Sequence, residues 1–345
     1  MKDTLLLVDE RFLDHEPPFS HPERPERLRR IYDVLAADPP PRTARATARP
    51  ATSEELGRVH DPVYVESILA LRGRSTQLDS DTWLSPGSVD AALLAAGAAV
   101  EATRAVVAGE AKNAFALVRP PGHHAESGRA MGFCVFNNVA VAAAAARAAL
   151  GVDRVLVVDF DVHHGNGTQE IFWRRNDVLY FSTHRAPPFY PQTGALEEIG
   201  EDAGRGHTVN VPLPRGMGDA DFLAAHQELL ERIAEDFRPG LLLVSAGFDG
   251  HEDDPLGGMR MRREGYRALA ALLRAIAERH ADGRIVFVLE GGYDLDGLAG
   301  GVRAVLETLV DGAAAPPPRA TPSPEAARVI ASARALHATH WPALR

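Results

Sequence analysis

The chain has 345 residues, 45% of them hydrophobic and 24% charged, as in a globular protein of one large α/β domain or two ordinary ones. A net charge of −10 and a pI near 5.8 argue against a nucleic-acid binder, and no run of about 18 apolar residues is present to span a membrane. The single cysteine, Cys134, excludes a disulfide framework and suits a reducing compartment.

Leu5-Leu6-Leu7-Val8 is the first apolar run, and with Asp3, Asp9 and Glu10 around it the segment is too short and too acidic for a secretory signal, so a cytoplasmic protein is expected. Runs of strand character recur at 5–8, 114–118, 155–158, 178–182, 241–245 and 285–289. Between them, bulky residues at three- and four-residue steps predict helices over 89–108, 139–150, 219–237 and 262–280. Continuous apolar strands alternating with helices indicate a parallel sheet covered on both faces. The Ala/Pro-rich stretch 311–324 reads as a connector to a last helix, 324–340, capped by Ser323 and begun by Pro324. Whether that helix docks or stands free is open, so the expectation is one domain with a C-terminal appendage.

In such a sheet ligands bind outside the carboxyl ends of the strands, and the polar clusters fall there. The strand at 114–118 runs into Arg119-Pro120-Pro121-Gly122-His123-His124-Ala125, and 155–158 into Asp159-Phe160-Asp161-Val162-His163-His164-Gly165-Asn166-Gly167. The strand at 241–245 is followed by Ala246-Gly247-Phe248-Asp249, and 285–289 by Glu290-Gly291-Gly292-Tyr293-Asp294. One aspartate after a strand is usually a turn former, cap or ion-pair member. Four such clusters together point to a site.

In an extended chain Asp159, Asp161 and His163 share a face, which brings carboxylate and imidazole donors together as a divalent metal requires. Asp249, right at a strand end, is the best third ligand beside Asp161 and His163, whereas Asp253 and Asp254 read as a solvated charged loop. Two carboxylates cancel the charge of a divalent ion, so bound water is acidified less than in a three-histidine site and outside help becomes valuable. His123 and His124 can act as general base and acid, and Tyr293 can donate to a developing oxyanion. Gly291 and Gly292 would give the tyrosine segment freedom and admit a substrate closely.

With these motifs, from His21-Pro22-Glu23-Arg24-Pro25-Glu26-Arg27-Leu28 to about Leu309, the chain resembles the histone deacetylase family, which includes bacterial deacetylases and acetylpolyamine amidohydrolases. R-P-P-G-H-H-A, G-F-C-x-F-N-N, D-x-D-V-H-H-G-N-G-T, A-G-F-D and G-G-Y carry the resemblance. It implies a single α/β domain over 1–312, an arginase/deacetylase-like open parallel sheet of about eight strands with helices on both faces and the active site at the carboxyl strand ends. Residues 313–345 would be the connector and appended helix. By resemblance Asp161, His163 and Asp249 hold a catalytic zinc, for which iron(II) can stand in within cells. His124 would be the main base and acid, His123 its electrostatic partner, and Tyr293 the group that polarises the acyl carbonyl. Asp159 would orient His123, and Asn166, the residue of class II members, would face His124. A structural potassium would sit at Asp159, Ser182 and the backbone of Asp161, His163 and Thr183.

Phe133 and Tyr190 resemble the walls of a narrow acyl-lysine tunnel, with ordinary core aromatics as the alternative, and the Gly132 carbonyl would accept the substrate amide N–H. Asp81 is placed at the rim, Cys134 reads as a packing residue, and His164 as support rather than a ligand. His184 and His251 are left between the mouth and the surface. Acetylpolyamine relatives tend to carry glutamate where this chain has Leu256, so an acyl-lysine protein or peptide ranks ahead of a small acylated amine. Two rivals are set aside on the residues. An arginase-like binuclear manganese hydrolase needs a second set of bridging ligands. A catalytically inactive acyl-lysine binder would lack a ligand, base or tyrosine, and all are present. Oligomeric state is not legible.

Overall fold

The computed structural model describes residues 2–17, 21–310 and 316–345. Among them ten strands form: β1 (Lys2–Leu7), β2 (Thr43–Ala46), β3 (Thr76–Gln77), β4 (Trp83–Leu84), β5 (Ala111–Ala116), β6 (Val155–Asp159), β7 (Val178–Arg185), β8 (Thr208–Leu213), β9 (Leu241–Ala246) and β10 (Ile285–Leu289). Eight make one sheet in the order β2-β1-β5-β10-β9-β6-β7-β8, every neighbouring pair parallel, while β3 and β4 form a small antiparallel pair. The single α/β domain is the expected one. The two sheet strands that the apolar runs do not mark, β2 and β8, are its edges. Thr43-Ala44-Arg45-Ala46 is barely apolar, and β8 carries Asn210 and Pro212, which an edge strand tolerates.

Every residue of β6, β9 and β10 is buried, which requires cover on both faces and explains why they are largely Val, Leu and Ile. The helices Ser88–Val107 and Asn138–Ala149 pack together, their many alanines allowing close approach. A second group joins Glu26–Ala37, Arg263–His280 and Leu295–Val310. The helix expected over 219–237 is continuous but contains a π-helical turn, His226–Leu230.

The last helix, Pro324–His337, docks. Ser323 Oγ accepts from the Ala326 N–H at 3.3 Å, and Ala326, Ile330 and Ala333 are buried where the helix packs on β8. Beyond it the Trp341 indole N–H donates to the Gly206 carbonyl at 2.9 Å. The boundary expected at 312/313 lies outside the described residues. Among the described residues no helix is long and apolar enough to cross a membrane.

Candidate active site

The sheet order sets β5, β10, β9 and β6 side by side, so the four polar segments that follow them meet at one edge of the sheet. Asp161, His163 and Asp249 are buried and offer ligand atoms all within 4.8 Å of one another. His163 Nδ1 stands 3.1 Å from Asp161 Oδ1 and 3.1 Å from Asp249 Oδ2. Backbone N–H groups fix the two carboxylates: His163 donates to Asp161 Oδ1 at 2.9 Å, Gly291 to Asp161 Oδ2 at 2.9 Å, and Val162 to Asp249 Oδ1 at 2.8 Å.

Asp159 is not part of this group, contrary to the shared face expected from strand alternation. β6 ends at Asp159, and the Phe160 N–H turns to the Ser245 carbonyl at 3.2 Å, so the alternation stops there. Asp159 Oδ2 instead meets His123 Nδ1 at 3.0 Å and accepts from the Tyr180 hydroxyl at 3.0 Å. Ser182 pairs with Asp159 in register on β7. The neighbouring Thr183 Oγ1 is buried without a hydrogen-bond partner, an orphaned oxygen of the kind a cation takes up.

The donor set fits a divalent cation. Burial, with Asp161 alongside, pushes the Asp249 carboxyl up to about 7. Burial disfavours the His163 cation, but hydrogen bonds to Asp161 and Asp249 outweigh it and raise the ring to about 9. Two carboxylates and an imidazole thus converge in a buried space with too little positive charge among them, and one oxygen- and nitrogen-seeking ion would complete the set.

His123 and His124 stack at 4.1 Å between ring centroids in opposite electrostatic settings. Burial opposes charge on His123, yet Asp161 and Asp159 raise it to about 10. Burial, His123 and His163 push His124 well below the usual histidine range, which leaves it a neutral ring beside a cationic one. His124 Nδ1 lies 2.8 Å from Asn166 Oδ1.

A cavity of about 230 Å³ opens over this pair and the Asp161–His163–Asp249 group, lined by His124, His163, Tyr293, Gly132, Phe133, Tyr190, Leu256 and Asp81, together with Phe189. Phe189 stacks on His163 at 4.8 Å and 17° and escaped the sequence reading; its only signal is its place before Tyr190. Gly132 has φ +57°, and a Cβ there would fall into the His124 ring. Phe133 keeps φ +68°, which is strained for a side-chain-bearing residue, with its N–H on Thr82 Oγ1 at 3.1 Å. Cys134 packs below, its thiol donating to the Gly132 carbonyl at 3.3 Å.

Three placements differ from expectation. Gly291 is no part of the cavity wall: it backs onto the two buried carboxylates, where a Cβ would collide with Asp161 Oδ2 and Asp249 Oδ2. Asp254 is buried rather than solvated. One of its oxygens accepts from the Leu256 and Gly257 N–H groups at 2.9 and 3.1 Å, the other from Tyr293 and Asp294 at 2.7 and 3.1 Å, so one carboxylate ties two cavity walls together. His184 belongs to neither mouth nor surface; it is buried between Ser182 Oγ at 2.8 Å and the Gly194 carbonyl at 2.9 Å. His164 faces Thr193 and Gln169, away from the ligand group, and His251 is only partly exposed, accepting from the Asp253 N–H.

Behind Tyr293 lies a network for which the sequence reading had no role. Glu23 pairs with Arg119 at 2.5 Å, Arg27 at 3.0 Å and His15 at 3.1 Å, all buried. Arg27 donates to the Glu290 and Gly292 carbonyls, and its guanidinium lies 5.0 Å from the centre of the Tyr293 ring. Glu290 Oε2 accepts from the Gly122 and His123 N–H groups at 2.7 and 3.1 Å. The i, i+4 spacing of Glu23 and Arg27 is the one local signal for this network.

Comparison with known proteins follows the same lines. The histone deacetylase domain matches residues 21–309. A histone deacetylase-like amidohydrolase of Pseudomonas aeruginosa is 48% identical over 284 residues, 81% of this chain and 74% of that protein. The polyamine deacetylase HDAC10 of Homo sapiens is 44% identical over 341 residues, 94% of this chain but 50% of the human protein, so the chain spans half of that relative. The crystal structure of the HDA15 HD domain superimposes with a TM-score of 0.91 at 40% identity, covering 99% of this chain and 96% of that one.

Proposed function

The chain belongs to the histone deacetylase family of amide hydrolases, and from that premise we propose that it removes acyl groups, acetyl foremost, from Nε-acyl-lysine side chains with zinc as its metal. The observation that carries the reading is the meeting of Asp161, His163 and Asp249 with His124 and Tyr293 around one narrow, aromatic-walled cavity. Asp161, His163 and Asp249 would hold zinc, or iron(II) in cells, which when bound supplies Lewis acidity toward the acyl oxygen and toward water.

The chain's own residues do the rest. Asn166 Oδ1 faces His124 Nδ1, which therefore carries the proton and leaves the Nε2 lone pair free. His124 Nε2 takes a proton from the attacking water and returns it to the departing lysine amine. Its low proton affinity keeps it in the base form at neutral pH. His123, held cationic by Asp159 and Asp161, adds positive potential beside the reacting carbonyl. The Tyr293 hydroxyl donates to the developing oxyanion, its backbone fixed by Asp254. The walls of Phe133, Phe189 and Tyr190 suit an unbranched alkyl stem, and the Gly132 carbonyl accepts the amide N–H. A structural potassium at Asp159, Ser182 and the backbone of Asp161, His163 and Thr183 would neutralise the rear of the site.

The second reading is a small acylated amine such as an acetylpolyamine. Asp81 on the cavity wall supports it, since a carboxylate there suits a distal ammonium. Turnover of an acetyl-lysine peptide, longer acyl-lysine peptides and N-acetylputrescine by the zinc-loaded enzyme decides between them. The acetyl-lysine peptide should give the highest kcat/KM. A preference for N-acetylputrescine reverses the order, and no hydrolysis of any of them rejects amide hydrolysis.

A further inference from the structure

Asn166 is 6% exposed and has two different faces to satisfy. Its Oδ1 lies 2.8 Å from His124 Nδ1, and its Nδ2 donates to Glu126 Oε1 at 2.8 Å. An amide has nearly the same shape when turned over, so packing alone does not decide which atom meets the ring. The choice matters. With oxygen toward Nδ1 the ring is protonated there and Nε2 is free. With nitrogen toward Nδ1 the proton is forced onto Nε2, where it cannot act as a base. The other contacts of Asn166 Nδ2 are weak: the His124 carbonyl at 3.4 Å and Met131 Sδ at 3.3 Å. A carboxylate accepts and never donates when ionised, so at 2.8 Å Glu126 makes the shortest contact that fixes one orientation.

From this geometry we propose that Glu126 is a positioning residue for His124, acting through Asn166 so that the three side chains form one relay; the proposal rests on His124 being the base. Glu126 is anchored for the task. Its N–H donates to the Arg129 carbonyl at 2.9 Å, and its own carbonyl meets His60 Nδ1 at 3.0 Å. The Arg129 guanidinium holds the other oxygen, Oε2, at 2.9 Å. The carboxylate is two hydrogen bonds from His124, close enough to polarise the amide and distant enough to leave the ring neutral. Neither Glu126 nor Asn166 lines the substrate cavity.

The relay predicts a charge swap. Asn166→Asp sets two carboxylates against each other and should lower kcat about tenfold or more, the usual size for a partner that orients a catalytic group. Glu126→Gln keeps an acceptor for the amide and should lose less. In the double variant, the amide introduced at position 126 donates to the new carboxylate at position 166, and kcat should return to within a few-fold of the Glu126→Gln value, with KM unchanged throughout. Recovery of this kind does not arise if Glu126 merely supports its loop. A double variant as slow as Asn166→Asp, or an Asn166→Asp enzyme of full activity, overturns the relay. Nitrogen-15 shifts of the His124 ring supply a second measurement: protonation at Nδ1 in the native enzyme and a gain of the Nε2-protonated form in Glu126→Ala are expected, and an unchanged tautomer rejects the proposal. His124→Ala with native turnover would remove the base assignment instead, while the ring shifts still decide what orients the amide.

Discussion

Two buried charged clusters grip the segment 290–293, one through its carbonyls and one through the Gly291 N–H, and they are balanced in opposite ways. In the first, the Glu23 carboxylate is matched by two guanidinium groups and an imidazole. Burial opposes its charge, yet Arg119 and His15 hold its carboxyl well below the ordinary range. In the second, Asp161 and Asp249 face each other with His163 between them, and burial raises Asp249 instead. Both clusters contain acids at equal depth, so burial does not separate them. The first closes its own charges and acts as framework, whereas the second keeps an excess that an ion must answer.

The largest departure comes from opening the second cluster. Asp249→Ala should lose bound metal and activity together while thermal stability without metal holds or rises, because a like-charged buried neighbour is gone. Full zinc by elemental analysis would break the ligand set. Opening the first cluster should act on the fold. Glu23→Ala leaves Arg119 and Arg27 uncompensated and should cost about 3–5 kcal/mol in denaturant unfolding. The sign with pH follows from the depressed carboxyl: its contribution is complete above the ordinary value of 4.5 and is lost as pH falls toward the folded-state value. The Glu23→Ala protein should therefore show a flatter loss of stability below that pH, and a parallel curve would argue that Glu23 contributes no charge. Smallest is the residue that both clusters position. Tyr293→Phe should slow kcat about 10²–10³-fold with metal content unchanged. Near-native turnover would take the hydroxyl out of the reaction.

The strand ends were legible because apolar runs stop abruptly at polar residues, and a parallel sheet gathers those stops at one edge. Asp161, His163, Asp249, His123, His124 and Tyr293 all follow that rule. What depended on the path of the chain after a strand was not legible. The alternation placing Asp159 beside Asp161 ends with β6, and Asp254, in a stretch that reads as solvated, folds inward onto four backbone N–H groups. Nor do Glu23 and Arg119, 96 residues apart, announce a pair. The docking of the last helix was equally hidden, since Trp341 is received by Gly206, His207 and Phe237, more than a hundred residues upstream.

The sheet order has a further consequence during synthesis. Asp161 and His163 emerge early, but the oxygen that completes their set belongs to a residue 86 positions later than His163, and the N–H holding Asp161 Oδ2 lies 130 positions on from it. Because β9 and β10 insert between β6 and β5, the ribosome must deliver nearly the whole sheet before those partners meet. A nascent chain therefore lacks both the closed Asp161–His163–Asp249 group and the cavity beside it until β9 and β10 have joined the sheet.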